Sequence, residues 1–195
     1  MSRIGIVYHS ATGTTAQLAQ AVESGVMQVT GAVPHTFRIT GDDIQSGRYV
    51  NSTVLDELAG MDGLIFGSPT YMGSVSAQFK AFVDATGEIW GNRGWANKVA
   101  AAFTIGSNLN GDQHSTVSYL NTFASQHGML WVSLDLPGGY ETAVPNRLGA
   151  QGGLVAQTRE AEVCEVDLAT ATYLGNRVAG LASLSAAWRE AVLAA

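Results

Sequence analysis

Short apolar runs alternating with helix-period patterns constrain this chain more than any other feature. Ile4-Gly5-Ile6-Val7-Tyr8 is apolar on both of its alternating faces, as befits a central strand covered by helices on either side. Leu18, Val22, Val26 and Val29 then put an apolar stripe on a helix from about Thr14 to Thr30. A second strand, about His35 to Ile39, follows breaks at Gly31 and Pro34. Gly63-Leu64-Ile65-Phe66-Gly67 is a third strand, Val99 to Ile105 a fourth, and Met129 to Val132 begins a fifth. Val75, Phe79, Phe82 and Val83 mark the inner face of one intervening helix, and Val117, Leu120 and Ala124 that of another. Residues 53–59 form a short helix, and Ala171, Leu174, Val178 and Leu181 line the last. This alternation predicts βαβ units in an α/β fold, with five parallel strands between two helical layers. Residues 41–51 and the glycine-rich stretch 137–157 lack a period and are expected to be loops. A connection as long as the second is usually functional or mobile.

The 195 residues suit one domain, 1–195, with a sizeable core. A net charge of −6 without any run of like charge argues against a nucleic-acid or membrane surface. Cys164 is the single cysteine, so no internal disulfide forms, and Glu162, Glu165 and Asp167 beside it would blunt a thiolate. That usage, with no signal-peptide pattern and no apolar run long enough to span a bilayer, places the protein in the cytoplasm as an expectation. The four histidines are scattered at no metal-ligand spacing, so no metal is expected.

In an open parallel sheet a ligand binds beyond the carboxyl ends of the strands, where strand order reverses. Three loops fall there. After the first strand comes Ser10-Ala11-Thr12-Gly13-Thr14-Thr15, leading into a helix. Its hydroxyls, small flexible residue and free helix-terminal amides suit a phosphate dianion. The turn holds no Lys or Arg, so it is not a Walker loop, and it lacks the Gly-x-Gly-x-x-Gly of a dinucleotide site; its phosphate would be held by neutral donors. After the third strand comes Gly67-Ser68-Pro69-Thr70-Tyr71-Met72-Gly73, where Pro69 stiffens the turn, Gly73 admits close backbone approach, and Tyr71 or Met72 could lie on a ring. After the fourth comes Thr104-Ile105-Gly106-Ser107-Asn108-Leu109-Asn110-Gly111-Asp112, suited to the polar edge of a heteroaromatic ring. Asp112 either meets such a ligand or caps the helix that starts there.

From Gly67 to Trp90 the string GSPTYMGSVSAQFKAFVDATGEIW resembles the flavodoxin-like NAD(P)H:quinone oxidoreductases of the tryptophan-repressor-binding-protein type, and the resemblance runs over nearly the whole chain. It implies a flavodoxin-like three-layer sandwich with strand order 2-1-3-4-5, holding FMN. By the same resemblance Ser10, Thr12, Gly13, Thr14 and Thr15 hold the phosphate, and Pro69, Thr70, Tyr71, Met72 and Gly73 line the dimethyl and N5 side of the ring. Thr104, Gly106, Ser107, Asn108, Gly111 and Asp112 surround the ribityl chain and pyrimidine edge. His127 matches a family histidine near the flavin, and Trp90 an aromatic at a subunit boundary of a homodimer or homotetramer. Such enzymes usually carry Thr-Arg-Phe-Gly where this chain has Thr70-Tyr71-Met72-Gly73.

The implied reaction moves two electrons from NAD(P)H to a quinone by a ping-pong cycle, with His127 as proton donor or charge stabiliser. A helix-end packing role for His127 stands beside that one. The alternative function is a flavodoxin-type electron carrier serving protein partners. Replacing Thr12 and Thr15 together with Val is expected to weaken FMN binding, measured by quenching of flavin fluorescence. Unchanged affinity would remove the phosphate assignment.

Overall fold

The computed structural model describes residues 1–139 and 141–193. Its strands are β1 (Ser2–His9), β2 (Ala32–Ile39), β3 (Ile44–Gln45), β4 (Arg48–Tyr49), β5 (Gly63–Pro69), β6 (Val99–Gly106), β7 (Leu130–Trp131), β8 (Leu154–Arg159) and β9 (Glu162–Val163). Its helices are α1 (Thr14–Met27), α2 (Ser52–Ala59), α3 (Ala77–Ala85), α4 (Gly87–Gly91), α5 (Gln113–Gln126) and α6 (Glu165–Leu193). None of the helices is long and apolar enough to cross a membrane, among the described residues.

The main sheet runs β2-β1-β5-β6-β8-β9, with β7 also paired to β6. All of its pairings are parallel except β8 with β9. The expected order 2-1-3-4-5 is therefore present, in a flavodoxin-like three-layer sandwich. Pro34, expected to break the chain before the second strand, lies inside β2, opposite Ile4. A strand that pairs on one side only tolerates the missing N–H.

Side chains alternate between the two faces. Ile4, Ile6 and Tyr8 of β1, Ile65 of β5, and Val99, Ala101, Phe103 and Ile105 of β6 join Leu18, Val22 and Val26 of α1 and Leu174 and Val178 of α6. Val7, Leu64, Phe66, Ala100 and Ala102 point the other way, into a cluster with Leu58, Phe79, Phe82, Trp95 and Phe123. Helices α1 and α6 cross almost in backbone contact. A Cβ on Gly25 would lie 1.9 Å from the Thr172 carbonyl oxygen, and one on Gly175 would lie 2.0 Å from that of Val22.

Two segments expected as loops have more structure. Residues 41–51 contain a turn of 3-10 helix, Gly41–Asp43, and the antiparallel ribbon β3–β4. The fifth strand is split: β7 pairs with Val99 and Ala100 at the start of β6, and β8 with Phe103 to Gly106 at its end. Residues 154–157, read as the tail of a loop, are thus buried strand. Periodicity missed them because only four consecutive buried residues, Leu154 to Gln157, follow a run of glycines.

The insert between the two halves is tied to the body of the domain. Asn146, buried at φ 60°, accepts from the Ala150 N–H at 3.0 Å and donates to the Leu136 carbonyl at 2.9 Å. Its own N–H donates to Thr170 Oγ1 on α6 at 2.8 Å. Arg147 grips the buried carboxylate of Asp167 through two N–H donors, at 2.8 and 2.7 Å. Asp135 receives Tyr173 Oη and Arg177 Nη1, both at 2.6 Å. Asn146→Ala leaves the buried Ala150 N–H unpaired and takes a donor from the Leu136 carbonyl, in a left-handed backbone that Asn tolerates better. It should cost about 2–4 kcal/mol in urea denaturation, and a loss below the scatter of the measurement would refute that role.

Candidate functional site

Because β1, β5 and β6 run parallel and lie side by side, the loops that follow them gather at the carboxyl-terminal end of the sheet. The first loop is organised by Ser10. Its buried hydroxyl oxygen accepts from the N–H groups of Gly13 and Ala16, each at 3.2 Å, which leaves its own O–H to donate outward. Gly13 takes φ 95° at the N-cap position of α1 and brings no side chain of its own to accept from the helix. Among the described residues the amides of Thr14 and Thr15 find no acceptor in the chain, although both residues are buried. Thr12 Oγ1 lies 3.3 Å from Thr14 Oγ1 at the mouth of this turn. Free helix-terminal amides and hydroxyls around an open turn fit a phosphate.

The second loop is a tight hairpin. Tyr71 N–H donates to the Ser74 carbonyl at 2.9 Å and Ser74 N–H to that of Tyr71 at 3.1 Å. Met72 and Gly73 both have positive φ, 49° and 76°, the pair of values a type I′ turn requires. Met72 is thrown fully into solvent, and Tyr71 is about half exposed. Pro69 ends β5. Beneath the turn, Thr70 Oγ1 sits 2.8 Å from both Thr104 Oγ1 and Thr116 Oγ1, and Thr104 donates to the Ser68 carbonyl at 2.7 Å.

The third loop is held from inside by Gln113, whose buried amide donates to the Asn108 carbonyl at 2.6 Å. Asn110 Nδ2 donates to the Leu148 carbonyl of the insert at 3.0 Å, and Gln157 Nε2 of β8 to the Ser107 carbonyl at 3.0 Å. Asp112 occupies the position before α5 without capping it by a side-chain bond, and Gly111 has φ 49°. A cavity of about 210 Å³ opens between the second and third loops, walled by Thr70, Met72, Gly73, Gly106, Ser107, Asn108, Asp112 and Gln113. Thr104 lies under this cavity, in the hydroxyl network.

His127 stands elsewhere in this chain. Helix α5 starts beside the third loop and runs back for 14 residues, about 20 Å at the helical rise, so the residue that ends it reaches the opposite edge of the sheet. There Asn97 N–H, two residues before β6, donates to the Gly128 carbonyl. The His127 ring is buried 4.6 Å from Trp95 and 5.0 Å from Phe123, centre to centre, with Nε2 3.0 Å from Thr86 Oγ1. Within one chain it cannot reach a ring held by the three loops. It lines, with the half-exposed Trp90, a separate surface cavity of about 280 Å³.

Two residues at the site escaped the sequence. Gln113 carried only a weak signal, a polar side chain at the start of an amphipathic helix. Arg38 carried none: strand register sets it beside Tyr8, and its Nη2 donates to the Ser10 carbonyl at 2.9 Å. Burial first, and then the Arg38 charge, hold His9 below the usual histidine range.

Fold and loops together define a flavodoxin-like, flavin-binding protein. Residues 4–136 match the family described as NADPH-dependent FMN reductase, and the chain belongs to that family. It is 36% identical to flavodoxin FldP of Pseudomonas aeruginosa (strain UCBPP-PA14), over 92% of this chain and 96% of the relative. It is 32% identical to an NAD(P)H dehydrogenase (quinone) of Geobacter sulfurreducens, over 91% and 96%. A crystal structure of a flavodoxin, WrbA-like protein from Agrobacterium tumefaciens superposes with a TM-score of 0.75 at 36% identity, covering 95% of this chain and 99% of that one. FMN is the cofactor, and the unpartnered amides of Thr14 and Thr15 fit its phosphate.

Burial pushes His127 down to about 4. Between about pH 6.5 and 4 the unfolded chain then binds more protons at this residue than the folded one. Stability therefore falls as pH drops through that window, by up to about 3 kcal/mol. In urea denaturation from pH 7 to 4, His127→Phe should flatten this part of the slope; an unchanged slope would show that His127 is not buried as a neutral ring.

Proposed function

We propose that this protein moves electron pairs from NADH or NADPH to a quinone-type acceptor, with FMN bound across its three loops. The observation that carries the proposal is the convergence of a turn with two open amides, Thr14 and Thr15, and a polar cavity at the carboxyl-terminal end of a parallel sheet. Bound FMN supplies the redox chemistry. The chain supplies binding and orientation. Ser10, Thr12, Gly13, Thr14 and Thr15 hold the phosphate; Pro69 to Gly73 line the ring; Thr104 under the cavity and Gly106, Ser107, Asn108, Gly111 and Asp112 around it serve the polar edge and ribityl chain.

Positioning dominates the rate of such a transfer, and both ring-side loops are pre-shaped for it. The Thr70–Thr104–Thr116 hydroxyls pin the base of the second loop, and Gln113 and Gln157 pin the third. Donor and acceptor occupy the same open face in turn, the arrangement of a ping-pong cycle. His127 has no part in this one-chain site. Exposed Trp90 suits a contact in a homodimer or homotetramer, and the cytoplasm remains the proposed location.

The similarity to FldP favours a second reading, an electron carrier that serves protein partners. Its discriminator is direct turnover. The FMN-loaded protein should oxidise NADH or NADPH in the presence of menadione or benzoquinone, with parallel double-reciprocal lines as either substrate is varied. Failure to oxidise both nucleotides, with reduction only through a separate reductase protein, would replace the enzyme with the carrier.

A further inference from the structure

The Ser10–Thr15 turn must hold a dianion, yet no Lys or Arg occurs anywhere from His9 to Thr30. The nearest cation comes from the edge strand. Arg38 sits opposite Tyr8 in the β1–β2 ladder, two residues short of the loop in register. Its guanidinium reaches over to donate from Nη2 to the Ser10 carbonyl at 2.9 Å. No carboxylate pairs with it among the described residues. Its charge is felt at the end of β1, where it opposes the burial that raises Tyr8 and adds to the burial that lowers His9.

Resting on the FMN assignment above, we propose that Arg38 gives the phosphate turn the positive charge its own residues lack. Its bond to Ser10 orients that peptide, the one whose hydroxyl oxygen then takes the Gly13 and Ala16 amides. A guanidinium holds its charge at any working pH and presents five donors. One is used on Ser10. Arg38 is thus a positioning residue for the phosphate and its long-range counter-charge.

The test compares FMN with riboflavin, which has the ring and ribityl chain but no phosphate. The full-length chain, freed of flavin, is titrated with each by fluorescence quenching, as wild type, Arg38→Gln and Arg38→Lys. Because Arg38 is solvent-exposed, folding should tolerate either change. Arg38→Gln should weaken FMN about five- to tenfold at low salt, the gap closing as salt rises, with riboflavin changed less than about twofold. Arg38→Lys should recover most of the FMN affinity. Equal FMN affinity in Arg38→Gln and wild type would overturn the proposal. So would an equal loss for FMN and riboflavin, which would leave Arg38 only a structural strut. A wild-type chain that binds riboflavin as tightly as FMN, or binds neither, would overturn the phosphate assignment itself and the proposal with it.

Discussion

Burial of a parallel sheet on both faces is the constraint from which the rest follows. Beyond the exposed Arg3, β1 is buried on both faces, as are β5 and nearly all of β6, so each strand must be apolar on both sides and each connection must carry a helix to cover it. The shared direction of the parallel strands then delivers the strand-to-helix loops to the same carboxyl-terminal end. The site is a consequence: three loops meet there because the sheet offers its covered faces nowhere else to connect. The α1–α6 contact shows how tightly that cover is drawn. With glycine on both helices at the crossing, their backbones meet with no side chain between them, and the layer lies close over Ile4, Ile6 and Ile65.

The loops are preorganised by groups unlike those that would touch the ligand. Ser10 closes its turn from within, so Thr14 and Thr15 keep their amides open. A buried hydroxyl chain through Thr70, Thr104 and Thr116 ties the second loop to β6 and α5. Gln113 and Gln157 hold the third from below and behind. Polar contacts of this kind are strong where water is excluded, and they hold the donors in place before a ligand arrives. The surface hairpin carrying Tyr71 and Met72 is a different kind of element, with a methionine at positive φ in open solvent. Backbone strain of that sort persists only where the surrounding structure imposes it.

The split fifth strand changes the meaning of the glycine-rich segment. A stretch whose sequence predicts only a long loop is an insertion between two halves of one sheet position, knotted through Asn146 and anchored by the Arg147–Asp167 pair. Through Asn110 and Leu148 it braces the third loop from outside. Gly138 packs against Asn146, where a Cβ would lie 2.3 Å from its carbonyl oxygen, and Gly149 takes a left-handed φ of 69° beside Gly139.

Local pattern determined the central strands, the main helices and the chemistry of the three loops, because two-sided apolar runs, 3.6-residue stripes and hydroxyl-rich turns are written in consecutive residues. Ser10 to Thr15 announces a phosphate turn without help from anything distant. Tertiary structure alone decided what depends on register and helix length. It carried His127 a full helix away from the loops and into an aromatic nest. It joined residues 154–157 to β6 although only four buried side chains marked them. It brought Arg38 from the edge strand to a turn whose own sequence has no cation. In each case the deciding contact spans residues far apart in the chain, and no local period encodes which partner a strand edge or a helix end will meet.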